Sequence, residues 1–119
     1  MAPRDDLSRV RRIALSLPDV EEGTTYGCPA FKAGGKPFAW MPVKAGVEPG
    51  SLGVRMSFLE RDYRIASHPD IYYCIPHYKD YPAVLVRVWL LKDADLRELL
   101  ESGYEFVLSE AKRKKKRAR

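Results

Sequence analysis

Residues 30–41 read Ala30-Phe31-Lys32-Ala33-Gly34-Gly35-Lys36-Pro37-Phe38-Ala39-Trp40-Met41. Residues 30–33 are β-prone, and the Gly34-Gly35 pair supplies a tight turn where positive φ costs little. Residues 36–41 return as the partner strand, with Phe38 and Trp40 on one face by the period of two. Residues 30–41 therefore read as an antiparallel hairpin. Ahead of it, Thr24-Thr25-Tyr26 is β-prone and is broken by Gly27 and Pro29. Behind it, the Pro- and Gly-rich residues 42–51 read as a loop and 52–57 as a third strand.

Helices flank these strands. Leu7, Val10, Ile13, Ala14 and Leu17 recur at i, i+3, i+4 spacing, which predicts a helix over 5–17 that Pro18 stops. Residues 58–67 form a short helix closed by His68-Pro69-Asp70, and 71–75 a short strand. Residues 76–82 make a compact aromatic turn. The most apolar run, 83–91, is expected as a central strand interrupted only by Arg87. Asp93 caps a helix that Ser102-Gly103 ends, and 104–111 restart as a final helix. The predicted class is α+β, an antiparallel sheet with helices packed on one face, an N-terminal helix and two C-terminal helices.

The chain has 119 residues, enough for one domain and too few for two. Its net charge of +5 is unevenly placed. Residues 112–119, KRKKKRAR, hold seven basic residues and no acid, leaving 14 basic against 16 acidic residues in 1–111. The domain proper, 1–111, is thus slightly acidic, and 112–119 is a basic tail expected to be disordered because like charges repel and nothing large and apolar anchors it. Cys28 and Cys74 fit neither a disulfide framework nor a metal spacing and read as small buried hydrophobes. No apolar run is long enough to cross a bilayer and no signal-peptide pattern opens the chain, so a cytoplasmic location with no membrane partner is expected.

An ordered set of blocks carries a family resemblance: Ala14-Leu15-Ser16-Leu17-Pro18 with Glu21-Glu22-Gly23, Tyr26-Gly27, Pro29-Ala30-Phe31 and Gly35-Lys36-Pro37-Phe38-Ala39-Trp40. Pro76-His77-Tyr78, Tyr81-Pro82-Ala83-Val84-Leu85-Val86-Arg87-Val88 and Asp95-Leu96-Arg97-Glu98-Leu99-Leu100 follow. In this order they resemble the MmcQ/YjbR family over residues 5–108. The resemblance implies a CyaY-like fold and a DNA-binding role through a "double wing" of β-hairpins. The chain departs from the family pattern at Ser102-Gly103-Tyr104, where relatives usually keep an aromatic in an unbroken helical stretch, and in its basic tail.

Nucleic-acid binding is the leading functional expectation. Lys32 and Lys36 flank the hairpin turn near Phe31, Phe38 and Trp40. Lys44, Arg55, Lys79 and Arg87 join them if the sheet brings these cations to one face. The tail adds Lys112, Arg113, Lys114, Lys115, Lys116 and Arg117. Cations in such a run attract phosphate but read no base edges, so DNA would be bound with weak sequence preference. The alternative is a protein-interaction or small-ligand module, with Trp40, His77, Tyr78 and Tyr81, and Arg87 nearby, lining a pocket. Arg87 needs a carboxylate partner if buried, and Glu21 and Glu22 are candidates. No catalytic constellation emerges: His68 and His77 have no nucleophile placed by a known motif, and a structural histidine is the plainer reading. No cofactor is implied, because neither glycine-rich stretch matches a phosphate loop or dinucleotide fingerprint. The implied fold is shared with iron-binding frataxins, which use an acidic ridge. Here Asp5, Asp6, Asp19, Glu21 and Glu22 are diluted by Arg4, Arg9, Arg11 and Arg12, so no metal site is expected.

Overall fold

Fully buried Val10, Ile13 and Ala14 seat the first helix, α1 (Asp6–Ala14), in the core, as their spacing requires. The computed structural model describes residues 6–117, the last three by backbone alone. Strands β1 (Glu21–Thr25), β2 (Cys28–Ala33), β3 (Lys36–Trp40) and β4 (Leu52–Arg55) follow, then α2 (Phe58–Ser67) and β5 (Tyr72–Tyr73). A 3-10 turn at Pro76–Tyr78 precedes β6 (Ala83–Val86), a second spans Val88–Leu90, and α3 (Asp93–Arg117) closes the described chain. The six strands form one sheet in the order β1-β2-β3-β4-β6-β5, every pair antiparallel. All three helices share the core on one face, built on Phe31, Phe38, Leu52, Val54, Val84, Val86, Leu96, Leu99 and Leu100. The predicted α+β class is the observed one.

The hairpin forms as read, with one departure that shapes the other face. Phe31 pairs with Ala39 but Lys32 with Pro37, so Phe38 is an extra residue in β3. Such a bulge breaks the period of two. Phe38 and Ala39 therefore both enter the helix-side core, while Trp40 turns to the opposite face with Ala30 and Ala83. The expectation that Phe38 and Trp40 share a face fails for this reason.

Other elements also differ from the sequence reading: the helix expected over 5–17 ends at Ala14, and the strand expected over 52–57 ends at Arg55. The strand expected over 83–91 stops at Val86, where the chain coils so that Val88 is buried and Arg87 turns outward to Glu48. The strand expected over 71–75 shortens to Tyr72–Tyr73. The two C-terminal helices are one 25-residue helix, α3. Gly103 does not end it: this glycine is buried where α3 crosses the sheet, and a Cβ there would lie 2.8 Å from Val54 Cγ1 and 3.2 Å from the Phe38 carbonyl oxygen. Its lack of a side chain permits close helix–sheet approach rather than chain reversal. Nor is the tail irregular where described, since α3 carries on through Arg117; residues 118–119 lie outside the described part.

Candidate functional site

The predicted phosphate-binding residues do not converge on one face. Arg55 is 7% exposed. Its guanidinium reaches Glu110 at 2.8 Å and the Pro82 carbonyl at 3.0 Å, between the rings of Tyr81 and Phe106. Arg87 donates to Glu48 at 2.8 Å and to the carbonyls of Pro69 and Asp70, over the Tyr73 ring. Its partner is thus neither Glu21 nor Glu22, and it lies away from Trp40. Lys32 runs over Gly23 on β1, and Lys79 is exposed beside the aromatic turn. Lys44 meets His77, as described below.

Pairing is general in the body. Of the eight arginines within residues 6–111, Arg9, Arg11, Arg12, Arg55, Arg61, Arg64 and Arg87 sit in ion pairs. The eighth, Arg97, donates to Ser16 Oγ. Internal pairing leaves little guanidinium charge for an external polyanion. It also divides the N-terminal acids considered for metal: Asp6 faces Arg9, and Glu22 is held by Arg11, whose hydrogen bonds keep that carboxyl below its ordinary pKa. Asp5 and Arg4 lie outside the described residues. Among the described residues, no group of three or more His, Cys, Asp or Glu side chains is placed to hold a metal ion.

One cationic juxtaposition does form. The hairpin turn packs on α3, with Gly34 against Leu108, and Lys36 at its tip meets Lys114. The Lys114 ammonium pushes the Lys36 pKa below its ordinary value, and Glu110 opposes this only in part. Helical geometry thus brings the start of the basic run to the predicted wing, a contact that a disordered tail would not make.

On the opposite face of the sheet the four predicted pocket residues come together. Trp40, His77, Tyr78 and Tyr81 line a cavity of about 390 Å³ with Lys44, Tyr26 and Cys28. The Trp40 indole rests on Gly53, where a Cβ would come within 2.6 Å of the ring. Tyr78 and Tyr81 meet the indole edge-to-face, with centroids at 5.9 and 6.1 Å. Lys44 Nζ lies 2.7 Å from His77 Nε2 and 5.6 Å from the Tyr78 ring centroid. Cys28 and Cys74 are free and only partly buried, less enclosed than expected.

Comparison with known proteins fits this architecture. A family model described as YjbR matches residues 15–106. The chain belongs to the YjbR family. Uncharacterized proteins of Mycobacterium tuberculosis and Mycobacterium bovis are 35% identical to this YjbR chain over 118 residues, covering 87% of each. No solved structure matches it. Among its described residues, no helix is long and apolar enough to cross a membrane.

Two features of this YjbR chain escaped the sequence reading. Tyr26 lines the cavity because the β1–β2 turn has two central residues at positive φ, Tyr26 at 49° and Gly27 at 76°. The Gly27 that follows it, between two β-prone stretches, was the available signal. Glu110 emerges as the Arg55 partner, a pairing 55 positions apart that no local pattern announces.

Proposed function

We propose that the chain binds nucleic acid, DNA in the first instance, by phosphate contacts from the C-terminal part of α3 together with Lys36. The basic run that continues α3 beside the hairpin turn, whose Gly34 packs against Leu108, carries this reading, and the lowered Lys36 pKa agrees with it. Two ammonium groups held side by side repel each other, and a phosphate bound between them relieves that repulsion. The basic positions 112–117 continue the same helix. At 100° per residue, six successive positions pass more than once around the axis, so about half can face one duplex. About three or four phosphate contacts, Lys36 included, give a slope of log K against log[salt] near −3.

Such contacts position a protein on a duplex without reading its bases. The paired arginines of the body argue that α3 rather than the sheet makes the contact. The test is fluorescence anisotropy with a labelled mixed-sequence DNA duplex at several salt concentrations. It compares the natural chain with one in which Lys112, Arg113, Lys114, Lys115, Lys116 and Arg117 are all glutamine, which keeps helix propensity near that of lysine. The expected result is steeply salt-dependent binding that the glutamine chain loses by about tenfold or more at low salt. Equal binding by the two chains, or none by the natural chain at low salt, defeats the reading.

A further inference from the structure

The aromatic cavity on the helix-free face has a construction that phosphate binding by α3 does not use. We infer that it is a binding site for a small planar anion, an aromatic ring carrying one carboxylate. The ring lies against Trp40 and Tyr81, the carboxylate meets Lys44 Nζ, and Tyr26 closes over the ring.

Charge selects the ligand's sign. Of the eleven residues lining the cavity none is acidic, and Lys44 is the one ammonium among them. Its close partner is the His77 ring nitrogen rather than a carboxylate, so its positive charge is not cancelled within the cavity. A carboxylate here gains a charge-assisted hydrogen bond, and a neutral isostere gains a weaker one. Shape selects planarity. The indole is held flat on Gly53, edge-to-face contacts from Tyr78 and Tyr81 fix its setting, and Pro37 and Pro42 add rigid walls. A volume of about 390 Å³ falls at the small-molecule end of ligand sites.

Tyr26 is the independent observation. It is fully exposed and held at φ 49° in the β1–β2 turn, beside the cavity it lines. Asn, Asp or Gly fills that turn position without strain, whereas a bulky aromatic residue there is unfavourable. An exposed ring in a strained turn at the mouth of an aromatic cavity brings no folding advantage. Over a bound ring it supplies a stacking cover.

The test uses the full chain and named probes. Indole-3-carboxylate and 2-naphthoate are the planar anions, 2-naphthamide the neutral planar control and cyclohexanecarboxylate the non-planar anion. Binding is followed by the Trp40 indole N–H resonance in ¹H–¹⁵N spectra. The planar anions are expected to shift that resonance saturably, with Kd below about 1 mM and about tenfold tighter than either control. Lys44→Met should erase the preference for 2-naphthoate over 2-naphthamide. Tyr26→Asn, which suits the turn, should weaken planar anions about fivefold or more while leaving the remaining spectrum unchanged. No Trp40 shift with either planar anion, equal affinity for amide and carboxylate, or undiminished preference in Lys44→Met would overturn the assignment.

Discussion

Gly103 of α3 lies so close to Val54 of β4 that a Cβ at position 103 would sit 2.8 Å from Val54 Cγ1. Two carbonyl oxygens, of Phe38 at 3.2 Å and Arg55 at 3.3 Å, bound the same space. Gly103→Ala therefore sets two effects against each other. Alanine favours the helix by about 1 kcal/mol, but overpacking a buried helix–sheet contact costs about 1–3 kcal/mol. Val54 is fully buried and the oxygens belong to backbone, so packing wins. The expected outcome is a net loss of up to about 2 kcal/mol, read as a lower urea midpoint with unchanged slope. A more stable alanine variant would show that α3 can lift off the sheet cheaply.

The same glycine marks how far the sequence could be read. Element type followed from local pattern: the apolar spacing of α1, the Gly34-Gly35 turn and the boundaries of α2 stand as expected. What local pattern cannot contain is who the neighbour is. Gly103 reads as a helix end in isolation and as a close-packing position once β4 lies beneath it. Phe38 and Trp40 read as one face until a bulge divides them, and only the register change from Phe31–Ala39 to Lys32–Pro37 shows that bulge. For the site, the aromatic cluster was legible because Pro76-His77-Tyr78 and Tyr81 are near in sequence. The fate of Arg55 and Arg87 was not, since Glu110 and Glu48 reach them from 55 and 39 positions away.

Arg55 and Glu110 form a largely buried ion pair joining sheet and α3, with the arginine side chain 8% exposed and the glutamate 28%. Glu110→Gln leaves a guanidinium enclosed by Tyr81 and Phe106 with the Pro82 carbonyl as a remaining acceptor. Loss of one charge-assisted bond in such a setting costs about 1–2 kcal/mol after allowance for solvent near the glutamate. Because burial limits screening, the difference from the natural chain should persist in high salt. Chemical denaturation by urea at low and high NaCl measures this. A difference that vanishes with salt would mean that the pair acts as a surface contact.

Asp93 opens α3 and receives Arg12 Nη2 at 2.9 Å and Arg9 Nε at 3.0 Å, tying α1 to α3. The Arg12 hydrogen bond, followed by that of Arg9, holds its carboxyl below the ordinary value. A depressed carboxyl stabilises the fold above the unfolded-state pKa of about 3.9 and loses that contribution as pH falls through its folded value. Asp93→Asn should thus lower Tm near neutral pH, with the gap to the natural chain closing in acid. Glu22 and Glu48, depressed by Arg11 and Arg87, act with the same sign, so the variant keeps some acid sensitivity. Thermal melts across the acid range read the closing gap; a constant gap at every pH would assign the effect of Asp93 to something other than its charge.

Lys36 gives the proposed phosphate contact a signature of its own. Lys114 pushes the Lys36 pKa down, so Lys36 sheds its charge at lower pH than an ordinary lysine, whose value is about 10.4. DNA affinity should therefore be flat near neutral pH and begin to fall on the alkaline side below that ordinary range. Lys114→Gln removes the repulsion and should move the Lys36 titration upward, even though it removes a cation and weakens binding at pH 7. Lys36→Gln should reduce the salt slope by about one and abolish the early alkaline decline. Anisotropy titrations of the three chains against pH and salt separate these effects. If Lys36→Gln leaves both the slope and the alkaline profile unchanged, the hairpin does not touch phosphate, and the α3 extension acts alone.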